Sequence, residues 1–489
     1  MLTLKFITPE EYNVAKKTKV VFSRKSTDMK AYHFTLLVRD YLIKKYGEEV
    51  VQRGGLRVKT TLDWRLQEIA EKAVRDGAVR NSELYEGRNA ALVAQDPKTG
   101  QILALVGSKD FSVSPEPTGC EPGVNCKFEP DFNVAIQGLR QPGSALKPFT
   151  YLTAFEKGYT AKTMVFDTLT EFRAGDSNCP AKVDFSNENK ECFHPENFDE
   201  IFRGPTTLAE ALAQSINVPA VKVLYLAGTN DVLKTLKSFG VNTLNDGARY
   251  GLSLVLGGGE VRLIELVNGY ATLATDGVRH KQFFVLEVKD SDGRVLESYE
   301  DEAERVIESQ NVRVINQILS DKDLREGLFH SNVSLTVFPD REVALKTGTT
   351  GDYRDAWAMG YTPYLAVGVW AGNNDNTPMQ RRGGSILAAV PIWNAFLKEA
   401  LNNFPIETFE RAEPQTLVLK PMLNGSYVYK PALAGLSYPQ VHSILYYVNK
   451  SDPTGPFPVN PYDDYQFSNW EAGVLGWATL NVPGFALNY

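Results

Sequence analysis

Apolar and polar positions along this chain follow different periods in successive stretches. Residues 7–51 mix a charged helical pattern with short β-branched runs, among them Lys19-Val20-Val21-Phe22, and Arg57-Val58-Lys59-Thr60-Thr61-Leu62-Asp63 reads as a strand. Residues 63–78 then place Leu66, Ile69, Ala70, Ala73 and Val74 on one side at helical spacing, which predicts an amphipathic packing helix. From Ala90 the period shortens. Apolar runs over 90–94 and 102–106 flank Asp96-Pro97-Lys98-Thr99-Gly100, a β-hairpin with its turn in the middle. Helical spacing returns behind a Pro142-Gly143 turn, with Tyr151, Leu152, Ala154 and Phe155, and again over 206–213, 231–239 and 263–274. Between 158 and 205 periodicity lapses and Asn, Asp and Pro accumulate, as expected of an excursion bordering a cleft. Beyond Val343-Ala344-Leu345-Lys346, strand-length runs over 355–361 and 364–370 meet at a Thr362-Pro363 turn, and 386–401 forms a closing helix. A helical block between an early hairpin and a late three-strand meander predicts an α/β (α+β) domain. Its five-stranded antiparallel sheet is assembled from both ends, which brings residue 144 beside residue 346.

The candidate chemistry is densest in Arg140-Gln141-Pro142-Gly143-Ser144-Ala145-Leu146-Lys147-Pro148-Phe149. A loop entering a helix at Ser144 puts Lys147 one turn on, on the same face. A serine hydroxyl is a poor nucleophile unless something takes its proton, and a neighbouring amine does so when desolvation or a second cation lowers its pKa. The helix start also aims N–H groups and the positive end of its dipole at developing negative charge. The plainer reading makes Ser144 an N-cap and Lys147 a solvated side chain, since such a four-residue coincidence arises roughly once or twice in a chain of this length.

Two downstream stretches weigh against coincidence. Ser215-Ile216-Asn217 and Lys346-Thr347-Gly348-Thr349 follow in order, and Ser-x-x-Lys, Ser-x-Asn, Lys-Thr-Gly is the ordered motif set of serine penicillin-binding proteins and related β-lactamases. Duplicates are set aside by context. Lys98-Thr99-Gly100 is a hairpin turn that precedes the serine, and Ser309-Gln310-Asn311 caps a helix running through Val312, Ile315 and Leu319. Lys346 instead closes a strand, where Gly348 lets a substrate backbone approach closely.

Composition changes the picture modestly. With 489 residues, 43% apolar and 23% charged, the chain can bury one large domain plus attachments. A net charge of −7 without a Lys/Arg-rich block argues against a nucleic-acid partner. No apolar run approaches the roughly 18 residues of a membrane helix, and the first residues lack the apolar core and small-residue cleavage site of a secretion signal. Nothing in the chain as written exports or anchors it. The cysteines pull the other way. Cys120 and Cys126 share a Gly/Pro-rich loop, while Cys179 and Cys192 flank a polar stretch, so two short-range disulfides and an oxidising compartment suit them. Reduced thiols or a metal site are the alternatives, although the spacings differ from close zinc-binding pairs and His194 is the only histidine nearby.

Beyond the three motifs, the chain resembles the transpeptidase part of class A, bifunctional penicillin-binding proteins over residues 7–400. The likeness extends to Gly54-Gly55-Leu56-Arg57-Val58-Lys59-Thr60-Thr61-Leu62-Asp63, the Asp96 turn, Arg262-Leu263-Ile264-Glu265-Leu266, and Arg354-Asp355-Ala356-Trp357 through Val369-Trp370. The resemblance implies a penicillin-binding-protein/β-lactamase-like fold, with helices on both faces of the sheet and a largely helical subdomain. It further implies a serine DD-transpeptidase of peptidoglycan stem peptides, acylated by β-lactams, using no cofactor or metal. In that reading Ser144 is the nucleophile, Lys147 the base and Ser215 the proton relay. Asn217 binds the substrate amide, Lys346 with Thr347, Gly348 and Thr349 holds the terminal carboxylate, and the N–H groups of Ser144 and Thr349 form the oxyanion hole.

The family's membrane helix and glycosyltransferase domain have no counterpart here, so the chain is not expected to polymerise glycan, and a separate glycosyltransferase is a candidate partner. The resemblance places the protein outside the cytoplasmic membrane. Three parts are expected: a linker or pedestal over 1–85, the transpeptidase domain over 86–400, and an aromatic and Pro-rich extension over 401–489, either a small module or a strap on the catalytic domain. A DD-carboxypeptidase, a β-lactamase, a β-lactam sensor and a silent scaffold are the competing readings. No Glu is clearly placed to activate a deacylating water, Glu260 and Glu265 lying in a packing helix and its approach.

Overall fold

The computed structural model describes residues 1–17, 29–183, 189–380, 383–414, 420–428, 440–483 and 485. The run Lys19-Val20-Val21-Phe22 lies outside them. Five strands form the central sheet: β1 (Asn89–Gln95), β2 (Ile102–Val106), β3 (Ala344–Thr349), β4 (Asp355–Thr362) and β5 (Leu365–Gly372). Their order is β3-β4-β5-β1-β2, antiparallel throughout. The early hairpin and the late meander meet where Ala366 pairs with Gln95 and Gly372 with Asn89, so the sheet is assembled from both ends of the sequence as expected.

Side-chain alternation sorts the sheet into two apolar faces. Leu92, Leu345, Ala358 and Val369 face helix α1 (Trp64–Tyr85) and Trp393 and Phe396 of the closing helix. Val93, Trp357, Met359 and Trp370 face the helical block. That block contains α2 (Lys147–Glu156), α3 (Asn217–Ala227) and α4 (Leu263–Ala274). The helix expected to end at Ala78 runs on to Tyr85, because Ala78 and Asn81 keep its buried face going, and Asp63 caps its start by accepting from Leu66 N. Two other expectations are corrected. The closing helix is broken into Ser385–Ala388 and Val390–Ala400, with Pro391 admitted in the first turn of the second piece. Ser309 is the first helical residue rather than the cap, a position held by Glu308.

The remaining parts pack onto this frame. Arg57–Thr60 pairs with Val285–Lys289 and, through it, with Val295–Ser298, and Glu297 there accepts from Tyr46 and pairs with Lys45. The excursion begins and ends in a two-stranded ribbon, Met164–Asp167 with Gly204–Thr207. Near the C-terminus, Ile444, Leu445, Tyr447 and the helix α5 (Phe467–Asn481), through Trp470 and Val474, enter the same apolar core as the helical block. The cysteines pair as Cys120–Cys126 and Cys179–Cys192, with Cα atoms 5.1 and 5.4 Å apart. Among the described residues no helix is long and apolar enough to cross a membrane.

Candidate active site

Ser144 lies in a short 3₁₀ turn, Gly143–Leu146, and the α-helix proper begins at Lys147, three residues later than the Pro-Gly signal alone suggests. Pro148 suits that first turn, where its missing N–H costs nothing. The turn is pressed against β3 backbone to backbone. A Cβ on Gly348 would fall on the Pro142 carbonyl oxygen, and one on Gly143, whose φ is +54°, would collide with the Thr349 peptide. Two long side chains pin the same turn. Trp357 Nε1 donates to Gln141 O at 2.8 Å from β4, and the Tyr270 hydroxyl donates to Ala145 O at 2.8 Å from α4. Gly348→Ala must therefore separate Ser144 from β3, and it should slow acylation by a β-lactam roughly 100-fold. Stopped-flow labelling of the folded variant checks this. An unchanged rate would mean that the glycine is not needed for the close approach.

The structure brings the three motifs together. Lys147 is fully buried, and its Nζ donates to Ser215 O (2.7 Å), Asn217 Oδ1 (2.9 Å), Ile216 O (3.2 Å) and, at 3.5 Å, Ser215 Oγ. None of these acceptors is Ser144. A desolvated amine must be matched by acceptors, and here the carbonyls of the 215–217 turn supply them. Lys346 Nζ donates to the same Ser215 Oγ at 2.8 Å and to Thr347 O at 2.8 Å. One hydroxyl thus bridges two buried lysines. Burial first, and then the charge of Lys346, push the Lys147 amine well below the ordinary lysine range. Burial alone brings Lys346 down to about 7.

Ser215 takes this place at the cost of backbone strain. Its φ is +59°, in the left-handed region that a serine occupies at a cost of roughly 1–3 kcal/mol. It links the helix Leu208–Ala213, which starts from a Thr207/Glu210 capping box, to α3. Asn217, the first residue of α3, gives its Nδ2 hydrogen to Glu196 O at 2.9 Å while its Oδ1 accepts from Lys147. Thr347 lies in β3 between Lys346 and Gly348 and is buried. The Thr349 hydroxyl donates to Ser385 Oγ (2.9 Å) and accepts from Ser385 N (3.0 Å).

Several residues around the site had no signal in the sequence. Asn197 and Glu196 come from the aperiodic excursion, Ser385 is the first residue of the closing helix's first piece, and Gln141 contributes only its carbonyl. The aromatic rings of Phe198 and Tyr353 meet edge to face at 6.1 Å, joining the excursion to the β3–β4 connection. A cavity of about 450 Å³, lined by Arg140, Gln141, Glu260, Asp352, Arg354 and Asp355 among others, lies beside the Pro142 turn and includes none of the motif residues.

Comparison with known proteins places this geometry. Residues 90–398 match the penicillin binding protein transpeptidase domain, a span that begins with β1 and ends within the closing helix. Penicillin-binding protein 1A of Aquifex aeolicus is 28% identical over 499 residues, covering 86% of this chain and 63% of that protein. Penicillin-binding protein 2D of Bacillus subtilis is 32% identical over 375 residues, covering 76% and 49%. The chain thus spans between about half and two thirds of the length of these two relatives. In fold it is similar to the crystal structure of penicillin-binding protein 1A from Haemophilus influenzae, with a TM-score of 0.65 at 20% identity, covering 84% of this chain and 76% of that one. It is similar also to PonA1 of Mycobacterium tuberculosis in complex with penicillin V, with a TM-score of 0.61 at 24% identity, covering 78% and 96%. With a family match over more than half its length and the three motifs converging on one hydroxyl, the chain belongs to the penicillin-binding protein transpeptidase family.

Proposed function

We propose that this protein is a serine DD-transpeptidase that cross-links peptidoglycan stem peptides through an acyl-enzyme on Ser144. The observation that carries the reading is the Ser215 hydroxyl set between two buried lysines. Ser144 Oγ attacks the carbonyl carbon between the terminal D-Ala residues, and its proton passes to the neutral Lys147 amine, directly or through Ser215. The resulting oxyanion is held by the N–H groups of Ser144 and Thr349, which the Gly143 turn keeps close together. Collapse breaks the C–N bond, the proton returns by way of Ser215 to the leaving amine, and D-alanine departs. An acceptor amine then repeats the sequence in reverse on the ester.

Lys346, as a cation, holds the terminal carboxylate with Thr347 and Thr349, the latter turning its hydrogen from Ser385. β3, at the edge of the sheet, is open to pairing with the substrate backbone, and Asn217 meets the substrate amide. A β-lactamase reading is less well supported. The Glu265 carboxylate accepts from Thr243 Oγ1 and Asn242 N and pairs with Arg262, so it is not available to activate a deacylating water. In this reading residues 1–85 form a pedestal, 86–400 the catalytic domain and 401–489 an extension strapped to it. The two disulfides suit an extracytoplasmic site of action.

The test is intact-mass spectrometry after incubation with benzylpenicillin, followed by D-alanine release from a stem peptide with and without an amine acceptor. One adduct per chain, mapped to the Ser144 peptide and stable for hours, with release raised by the acceptor, is expected. No adduct on folded protein would overturn the reading. Release indifferent to the acceptor would replace it with a carboxypeptidase, and steady nitrocefin turnover would replace it with a β-lactamase.

A further inference from the structure

Asn197 occupies the aperiodic excursion between Asp167 and Arg203 and is only 4% exposed. Its Oδ1 accepts from Asn217 N at 3.0 Å and from Val218 N at 3.2 Å. Helix α3 needs these bonds. Its N-cap residue is Ile216, whose side chain cannot accept, so the first N–H groups of the helix would otherwise be orphaned beside the buried lysine. On the other side Asn197 Nδ2 donates to both oxygens of Asp167, at 2.8 and 3.0 Å, and to Ile201 O at 2.7 Å. A carboxylate on one side and two N–H groups on the other fix which way the amide points. Asp167 is itself fully buried and is held by Arg203 N at 3.0 Å. A continuous chain of hydrogen bonds therefore runs from Asp167 through Asn197 to the backbone of Asn217, whose side chain meets Lys147. The neighbouring Glu196 carbonyl orients the same Asn217 amide.

We infer that Asn197 is a positioning residue for acylation, capping α3 from outside the helix so that the Asn217 side chain stays aimed at Lys147. This rests on the Ser144 acyl-enzyme reading. Because Asn197 touches neither nucleophile nor substrate, its effect must pass through Asn217, and a double-mutant cycle reads that dependence.

The experiment compares second-order acylation rates by benzylpenicillin for wild type, Asn197→Ala, Asn217→Ala and the double variant, with melting temperature measured on each. Asn197→Ala should slow acylation roughly 10- to 100-fold. In the Asn217→Ala background the same change should cost less than about threefold, the two acting as one unit. Gln466→Ala serves as the structural control. It removes a 2.7 Å bond from the C-terminal strap to Phe172 O in the same excursion, and it should lower the melting temperature without slowing acylation of folded protein. If Asn197→Ala does not fold, Asn197→Ser enters the same cycle. A wild-type rate for the Asn197 variant, or effects that multiply with Asn217→Ala, would overturn the inference while wild-type acylation leaves the proposed function standing. Failure of wild type to acylate would remove both.

Discussion

Ser144→Ala should abolish the benzylpenicillin adduct completely while leaving the fold and melting temperature nearly unchanged. The residue lies in a turn whose geometry is set by others: Gly143 and Gly348 allow the contact with β3, and Trp357 and Tyr270 bind its flanking carbonyls. None of these depends on the Ser144 hydroxyl. The Ser215 and Asn217 contacts to Lys147 also survive, so the variant should still bind a β-lactam reversibly with its lysines in place. Intact mass and a thermal melt on the same preparation check both halves. A residual stoichiometric adduct on the folded variant would transfer the nucleophile's role elsewhere.

Lys147→Met should lower the acylation rate roughly 100- to 10,000-fold, the usual contribution of a positioned general base. Methionine fills much of the same volume without the amine, but the carbonyls of Ser215 and Ile216 lose their partner. A stability loss of roughly 1–3 kcal/mol follows from leaving buried acceptors unmatched. The pH profile separates chemistry from packing. With its pKa depressed by burial and by Lys346, the Lys147 amine is neutral, and able to take a proton, above that lowered value, and it loses this capacity as pH falls through it. Wild type should therefore show an acid limb that the variant's residual rate lacks. Lys346 acts in the opposite sense. Its charge is present below about 7 in the free protein and lost above, so binding of a carboxylate-bearing β-lactam should weaken on the alkaline side. Retention of the acid limb in Lys147→Met would assign it to another group.

The frame of the molecule was legible because periodicity survives burial. Helix α4 matches its apolar spacing to the residue, and the five strands appear as runs of the right length separated by turn residues. The convergence of Ser144, Ser215 and Lys346 followed from motif order together with the expected sheet. What the sequence could not show was how each motif is held. Ser215 occupies a left-handed backbone conformation that no residue type announces, and α3 is capped by Asn197 from a stretch without any period. Nor could helical spacing name the acceptors of the Lys147 amine, which lie on Ser215, Ile216 and Asn217 some 70 residues further along the chain. Residues 401–489 could be recognised as too aromatic for a linker, yet the seat of Trp470 and Val474 on the helical block depends on surfaces that exist only once the block has formed.

The strand order β3-β4-β5-β1-β2 has a consequence for how the protein comes into being. Ser215 lies 68 residues from one lysine it bridges and 131 from the other, and the strand carrying Lys346 joins the hairpin at residues 89–106 only through β4 and β5. Contacts of such long sequence separation form late, after much loop-closure entropy has been overcome. A chain cut before residue 372 holds Ser144 but lacks the completed sheet beside it. With Ser144 as the proposed nucleophile, covalent labelling by a β-lactam should report the last stage of maturation, an incompletely folded chain staying invisible to the drug until its sheet closes.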